Sequence, residues 1–219
     1  MTKCLLKTLA LIGFFGTTAH GQGTVRLAVG GDSRLWIEGS SNVSGWTCMA
    51  TTVDAAIDVD VGFREAADFP KYLRSVRVKV PVTALKCGHD QMDNSLRKAL
   101  RADDSTNVAY IVATFDAVKA GVTDSFTVQT VGTLILAGRE NTVKMDVRAT
   151  RSHDDALEAQ GELPILMSDY GIRPPTGMFG VIRARNRVVV RFALTLAPET
   201  IAAVAERCAG RAAGTVGSP

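Results

Sequence analysis

The sequence predicts an all-β protein made of antiparallel strands, arranged as a sandwich or a closed barrel. The first observation is a hydrophobic period of two, clearest in 76–82 and 142–149, where apolar residues alternate with polar or charged ones. The second is that each run has one apolar and one polar face, which is typical of antiparallel sheets rather than buried parallel ones. The third is the scarcity of helical periodicity. We expect about eight such strands, the number of a small barrel or sandwich.

The individual elements follow from local patterns. The strand-like runs are 24–29, 33–38, 45–51, 53–63, 76–82, 107–118, 125–137, 142–149 and 188–196, with weaker runs at 161–167 and 181–185. One short helix is predicted over 90–100, because Met92, Leu96 and Leu100 share one face. Asp90 is its expected N-cap. A C-terminal helix is predicted over 199–208 after Pro198, followed by a disordered tail.

The N-terminus predicts export. Residues 1–21 have a charged start at Lys3, a short apolar segment over 9–15, and small residues Ala19 and Gly21 before Gln22, as in a secretory signal peptide. The apolar segment is much shorter than the roughly 20 residues that a spanning helix needs. The predicted organisation is therefore a signal peptide (1–21), one β domain (22–197), and a C-terminal helix with its tail (198–219).

Charge and motifs exclude several functions. The formal net charge is only +3, too small for a dedicated nucleic-acid binder, so no nucleic-acid partner is expected. Gly31-Asp32-Ser33 resembles the nucleophile block of GDSL-type hydrolases, but no Asp-x-x-His follows it and a turn is the better interpretation. There is no Gly-x-Ser-x-Gly elbow and no zinc-ligand spacing. We therefore expect no catalytic residue, no metal and no cofactor.

Three cysteines remain after the signal peptide is removed, and an exported chain meets an oxidising compartment, so two of them should pair. We expect a disulfide between Cys48, early in a strand, and Cys87, at a strand-to-helix corner. Cys208 lies near the tail and should stay free. Linkage of Cys208 to either of the other two is the alternative.

Four arginines alternate near the C-terminus, at positions 183, 185, 187 and 191. This spacing places them on one face of a strand. The simpler interpretation is a solvated outer face of the sheet. The other is an anchor for anionic head groups, that is, transient contact with a membrane surface.

Several segments together resemble the YceI-like family of exported bacterial proteins. They cover roughly 24–196. The resembling segments are Ser33–Gly39 with Val43–Cys48, Val76–Val82 with Leu85–Gly88, Gly132–Gly138 with Val143–Val147, and Met167–Ile172 with Pro174, Pro175 and Phe179. The resemblance implies an antiparallel lipocalin-like β-barrel of about eight strands. It also implies a non-enzymatic periplasmic protein that holds a long amphiphilic lipid such as a polyisoprenoid, for transport or storage.

Alternate residues of a strand lie on the same face, and we call each such set a parity. The charged residues Arg77, Lys79, Lys144 and Arg148 belong to one parity of their strands, so the other, apolar parity must face inward. The expected lining residues are Val76, Val78, Val80, Leu134, Leu136, Val143, Met145, Val147, Val190 and Phe192. The same residues would serve equally as a packed core. The alternative to a lipid carrier is therefore a structural or stress-related envelope barrel with a filled interior. The sequence leaves the oligomeric state open.

Overall fold

The computed structural model describes residues 24–60, 69–102, 107–120, 125–151 and 156–198, which contain twelve strands and two helices. The strands are β1 (Thr24–Val29), β2 (Arg34–Ser41), β3 (Gly45–Ala50), β4 (Asp54–Asp60), β5 (Leu73–Pro81), β6 (Leu85–Lys86), β7 (Asn107–Ala120), β8 (Ser125–Leu136), β9 (Arg139–Arg151), β10 (Leu157–Leu166), β11 (Thr176–Gly177) and β12 (Ile182–Pro198). The helices are α1 (Phe69–Tyr72) and α2 (Asp90–Ala99).

All strand pairings are antiparallel. Eight strands follow one another by hydrogen bonding in the order β1-β4-β5-β7-β8-β9-β10-β12. β12 then pairs with β1 through three residue pairs, Leu27–Pro198 to Val29–Leu196, so this path of pairings returns to its first strand. The early part of β12 pairs with β2, which continues through β3 to β6.

The core lies along the inner face of this sheet, where alternate residues are buried. In β8, every even-numbered residue from Phe126 to Leu136 is buried, while the odd-numbered residues are more exposed. β10 shows the same alternation, with Leu157, Ala159, Leu163 and Ile165 buried. The period of two in the sequence therefore produces a one-sided apolar surface, as an antiparallel sheet with one wet face requires.

Most predicted elements are present, and two details differ. The all-β antiparallel class and the helix over 90–100 are confirmed. The strand count is higher than the eight expected, because ten strands have six residues or more and two have only two. The N-cap of α2 is His89 rather than Asp90, and the His89 side chain makes no capping hydrogen bond.

Other predictions lie outside the described residues. These are the signal peptide over 1–21, the C-terminal helix over 199–208 and the tail beyond it. None of the described helices is long and apolar enough to cross a bilayer.

Candidate functional site

A cavity of about 630 Å³ lies against the inner face of the sheet. Its lining comes from eleven strands, β2 to β12, and from one face of α2. Among the residues that the structure describes, the lining includes no Asp, Glu, Lys or Arg, so this described part of the wall carries no carboxylate, ammonium or guanidinium charge. A volume of this size falls within the range of small-molecule binding sites.

Nine of the ten residues predicted from parity border this cavity. They are Val76, Val78, Val80, Leu134, Leu136, Met145, Val147, Val190 and Phe192. Val143 does not border it. Instead, Val143 packs against the surrounding core cluster and lines a separate, shallower cleft beside Tyr170. Contact of these residues with a ligand stays a prediction.

The interior is not filled by side chains. Met145 and Leu134 are buried, at 8% and 6% exposure, as expected for packed inward residues. Val78, Val147 and Phe192 share their inward parity and yet are only partly buried. We attribute this residual exposure to the cavity surface, because the outward neighbours Lys79 and Arg148 mark the opposite, solvent-facing parity.

Sequence reasoning missed a second set of lining residues on the β2–β3 hairpin, chiefly Leu35, Ile37 and Trp46. The segment 39–53 contains no charged residue, so charge could not reveal that Trp46 faces inward, whereas on β2 the charged Arg34 and Glu38 do mark the face opposite Leu35 and Ile37. The alternation of Leu35 and Ile37 with these charged residues was the usable signal for β2.

Two aromatic rings of the lining lie over glycines on the neighbouring strand. Trp46 is the cross-strand partner of Gly39, and Phe192 is the partner of Gly161. A Cβ atom added at Gly161 would lie 2.8 Å from Cζ of Phe192, so the ring occupies the space of the absent side chain. A glycine in a strand interior is unfavourable by itself, and this close approach of a neighbouring ring accounts for it.

Apart from the buried Thr130 on β8, the polar lining residues are concentrated at one end of the cavity. They belong to three neighbouring segments: the β2–β3 turn, the start of α2, and β11. These residues are Ser41, Ser44, His89, Gln91, Ser95 and Thr176. Ser44, His89, Gln91 and Thr176 are exposed, so this end reaches solvent.

A disulfide and a buried carboxylate attach helix α2 to the sheet beside the polar end of the cavity. The predicted disulfide between Cys48 and Cys87 is confirmed, and it joins β3 to the residue just before the helix. The buried carboxylate of Asp93 accepts a hydrogen bond of 2.7 Å from the backbone N–H of Cys87. Lys86 lies 3.5 Å from the same carboxylate. Asp93 therefore holds the turn that leads into α2.

The outer face carries ion pairs. Arg191 bridges Glu38 on β2 and Glu162 on β10, with N–O distances of 3.0 and 2.6 Å. The indole N–H of Trp36 and the Arg191 guanidinium hydrogen-bond Glu38 and lower the pKa of its carboxyl. Arg191 thus belongs to the structural outer face of the sheet, as the simpler interpretation predicted.

The hydrolase-like segment has a structural role. The Ser33 hydroxyl accepts a hydrogen bond of 3.0 Å from the backbone N–H of Thr195 and lies 3.4 Å from the carbonyl oxygen of Thr195. It joins the start of β2 to β12 after a turn at 31–32. Within the described part of the chain, no three His, Cys, Asp or Glu side chains come together as a metal site would require.

The decisive comparison is at the level of the family. Residues 32–196 match the YceI-like domain. The chain belongs to the YceI-like family. The resemblance carried by the four sequence segments is therefore confirmed. No curated protein sequence matches this YceI-like chain significantly.

Solved structures support the YceI-like fold. A polyisoprenoid-binding domain from Saccharophagus degradans is 14% identical with a TM-score of 0.59, over 80% of this chain and 99% of that one. BcnA of Burkholderia cenocepacia is 15% identical with a TM-score of 0.55, over 74% and 95%. The YCEI protein of Campylobacter jejuni is 14% identical with a TM-score of 0.52, over 70% and 84%. At such low identity these likenesses establish the fold alone.

Proposed function

We propose that this protein is a non-enzymatic binding protein that holds a long amphiphilic lipid, a polyisoprenoid or a lipid of similar shape, for transport or storage in the periplasm. The observation that carries the proposal is the apolar cavity of about 630 Å³, whose described lining residues include no Asp, Glu, Lys or Arg. The family match and the polyisoprenoid-binding neighbour from Saccharophagus degradans support the ligand class.

The strand pairings support an interior shaped for one elongated ligand. Because the path of eight strands returns from β12 to β1, we infer a closed barrel. A barrel of about eight strands is wide enough to fill with side chains or to hold one small ligand. The partial exposure of inward residues such as Val78 and Val147 favours the second arrangement over a filled core.

The chemistry of the lining indicates how such a ligand would lie. An isoprenoid chain gains about 25 cal/mol for each Å² of apolar surface removed from water, and it needs no polar partner. A polar head group would be left unsatisfied deep inside and would therefore stay near Ser44, Gln91 and Thr176. Part of the gain is offset by the cost of association and chain ordering.

The disulfide supports the proposed location. A structural disulfide forms and persists in oxidising compartments such as the periplasm. Cys48 is 1% exposed and joined to Cys87, so the bond belongs to the folded interior rather than to an exposed redox pair.

Lipid extraction followed by mass spectrometry tests the proposal. Protein purified from a bacterial envelope should release a stoichiometric isoprenoid or similar long-chain lipid. Met145→Lys and Leu136→Asp place a charge inside the cavity, and we expect each to abolish the lipid load because the charge would be desolvated.

The matched controls are Lys144→Gln and Arg148→Gln, which alter exposed residues on the same strand as Met145 and should keep the lipid. Circular dichroism separates loss of binding from loss of folding. The proposal is wrong if wild-type protein carries no lipid and takes up none. A folded Met145→Lys variant with a full lipid load would show that the ligand lies elsewhere.

A further inference from the structure

Three large apolar side chains are exposed together at the polar end of the cavity. Phe179 is fully exposed, and Val43 and Val181 are 68% and 67% exposed. We name these three residues the apolar tip. Isolated exposed apolar residues are common, whereas clustered ones mark interaction sites.

Hydrogen bonds bring the two turns of the apolar tip together. The side-chain amide of Asn42 donates to the carbonyl oxygen of Val181 at 2.9 Å, and its oxygen accepts from the backbone N–H of Arg183 at 2.7 Å. The backbone N–H of Asn42 donates to the carbonyl oxygen of Arg183 at 3.1 Å. Val43 therefore lies beside the segment that carries Phe179 and Val181.

The turn that carries Phe179 has an unusual backbone. Phe179 has φ of 55°, in the left-handed region that non-glycine residues rarely adopt, and Gly180 after it has φ of 90°. A bulky residue is strained in this region of backbone conformation. The aromatic ring is not buried in return, since it is fully exposed. The backbone strain of this turn is therefore not offset by burial of the Phe179 ring, which stays in solvent.

The apolar tip borders the cavity. Ser41 and Ser44, on either side of Val43, line the cavity, as do Gly177 and Ile182 on either side of Phe179 and Val181. A ligand that leaves by the polar end of the cavity therefore emerges beside these three side chains.

Positive charge surrounds the apolar tip. Arginine is the only charged residue type between 170 and 198, and Arg173, Arg183, Arg185 and Arg187 are exposed there. Among the residues that the structure describes, no acidic side chain forms an ion pair with any of these four. Two acidic residues lie nearby, Asp90 at the start of α2 and Asp169, which borders the same cleft as Arg187, and the four arginines outnumber them.

We infer that the apolar tip docks on the surface of an anionic phospholipid bilayer, with Phe179, Val43 and Val181 entering the interface and the arginines contacting head groups. Exposed apolar residues flanked by basic ones have the composition of an interfacial anchor. The arrangement would place the polar end of the cavity against the membrane. A role of this docking in loading a lipid rests on the proposed function, whereas the docking itself is independent of that function.

Vesicle flotation with the full mature chain tests this inference. Vesicles of phosphatidylglycerol and phosphatidylethanolamine should bind the protein, and vesicles of phosphatidylcholine alone should bind it much less. The double variant Phe179→Ser/Val181→Ser should bind at least tenfold more weakly. Arg173→Gln and Arg187→Gln should each weaken binding roughly fivefold, an effect that added salt removes.

Two control variants separate the apolar tip from general surface effects. Met49→Ser changes an exposed apolar residue five positions along β3 from Ser44, which is about 17 Å away at the usual strand rise. Arg148→Gln changes an exposed arginine on β9. Both should bind vesicles like wild type. Equal binding by wild type and the Phe179→Ser/Val181→Ser variant, or no binding to anionic vesicles at low salt, would overturn the inference.

The lipid content of the same preparations distinguishes this inference from the proposed function. Phe179→Ser/Val181→Ser leaves the cavity lining unchanged and should retain any extracted lipid. Wild-type protein that binds anionic vesicles but carries no lipid would support docking and contradict the carrier function. Protein that carries lipid but binds no vesicle would support the carrier function and contradict docking.

Discussion

The packing of Phe192 over Gly161 gives the sharpest test of how the cavity wall is built. An alanine Cβ at position 161 would lie 2.8 Å from Cζ and 2.9 Å from Cε1 of Phe192, too close for any real pair of carbons. The backbone is fixed by the β10–β12 ladder, so the ring has to move into the cavity. Overpacking of this kind costs about 1–3 kcal/mol.

A change in the entropy of the unfolded chain opposes this cost of overpacking. Replacing glycine by alanine in a strand gains roughly 0.5–1 kcal/mol, because the unfolded chain loses conformational freedom. We therefore expect Gly161→Ala to lower the free energy of unfolding by about 0.5–2 kcal/mol. In a Phe192→Leu background the ring clash is absent, and the same change should be close to neutral.

The assay is a double-mutant cycle measured by urea denaturation. The expected coupling energy between positions 161 and 192 is at least about 1 kcal/mol. The carbonyl oxygen of Asp146, which would lie 3.1 Å from the new Cβ, is present in both backgrounds and cancels from the coupling. Gly31→Ala is the matched control, because an added Cβ there meets nothing within 4 Å. If Gly161→Ala costs the same with and without the Phe192 ring, the explanation of this glycine is wrong.

Further outcomes are expected for stability. Replacing Cys48 and Cys87 by alanine, a pair separated by 39 residues, should lower the free energy of unfolding by about 3–4 kcal/mol, which denaturation with and without reductant would measure. Hydrogen bonds from Arg26 and Ser75 lower the pKa of Asp58 in the folded state, so its contribution is present above the unfolded-state pKa and is lost as the pH falls through the folded-state pKa. Asp58→Asn should therefore be less stable than wild type at pH 6, by under about 1 kcal/mol for this partly exposed pair, and the difference should vanish near pH 2. Gly171→Ala should cost about 1 kcal/mol in thermal denaturation, because Gly171 has φ of 64°.

The sequence predicts the wall of the cavity best where charges mark the outer face. Lys79, Lys144 and Arg148 identify the solvent side of β5 and β9, and their neighbours do line the cavity. Val143 is the exception: it shares the inward parity but borders the separate cleft beside Tyr170. Parity fixes the face of the sheet on which a residue lies and does not say which cavity or cleft the residue borders.

Other features depend on which strands meet and could not be read from local pattern. The glycines at 39 and 161 are explained only once Trp46 and Phe192 are known to be their cross-strand partners. The role of Asp93 depends on the backbone of Cys87, six residues away across a turn. The cysteine pairing was predictable, since Cys48 and Cys87 border ordered elements.

The last strand has a consequence for the order of assembly. β12 hydrogen-bonds with β1, β2, β10 and β11, more partners than any other described strand. A chain made from its N-terminus can form hairpins such as β8–β9 as soon as they emerge, but the inner surfaces of β1 and β10 lack their neighbour until 182–198 is complete. Pairing between such distant segments is slow, because the entropy of closing the long loop must be overcome first. Until then the apolar wall stays open to water, so the nascent protein is most exposed to aggregation just before its final strand arrives.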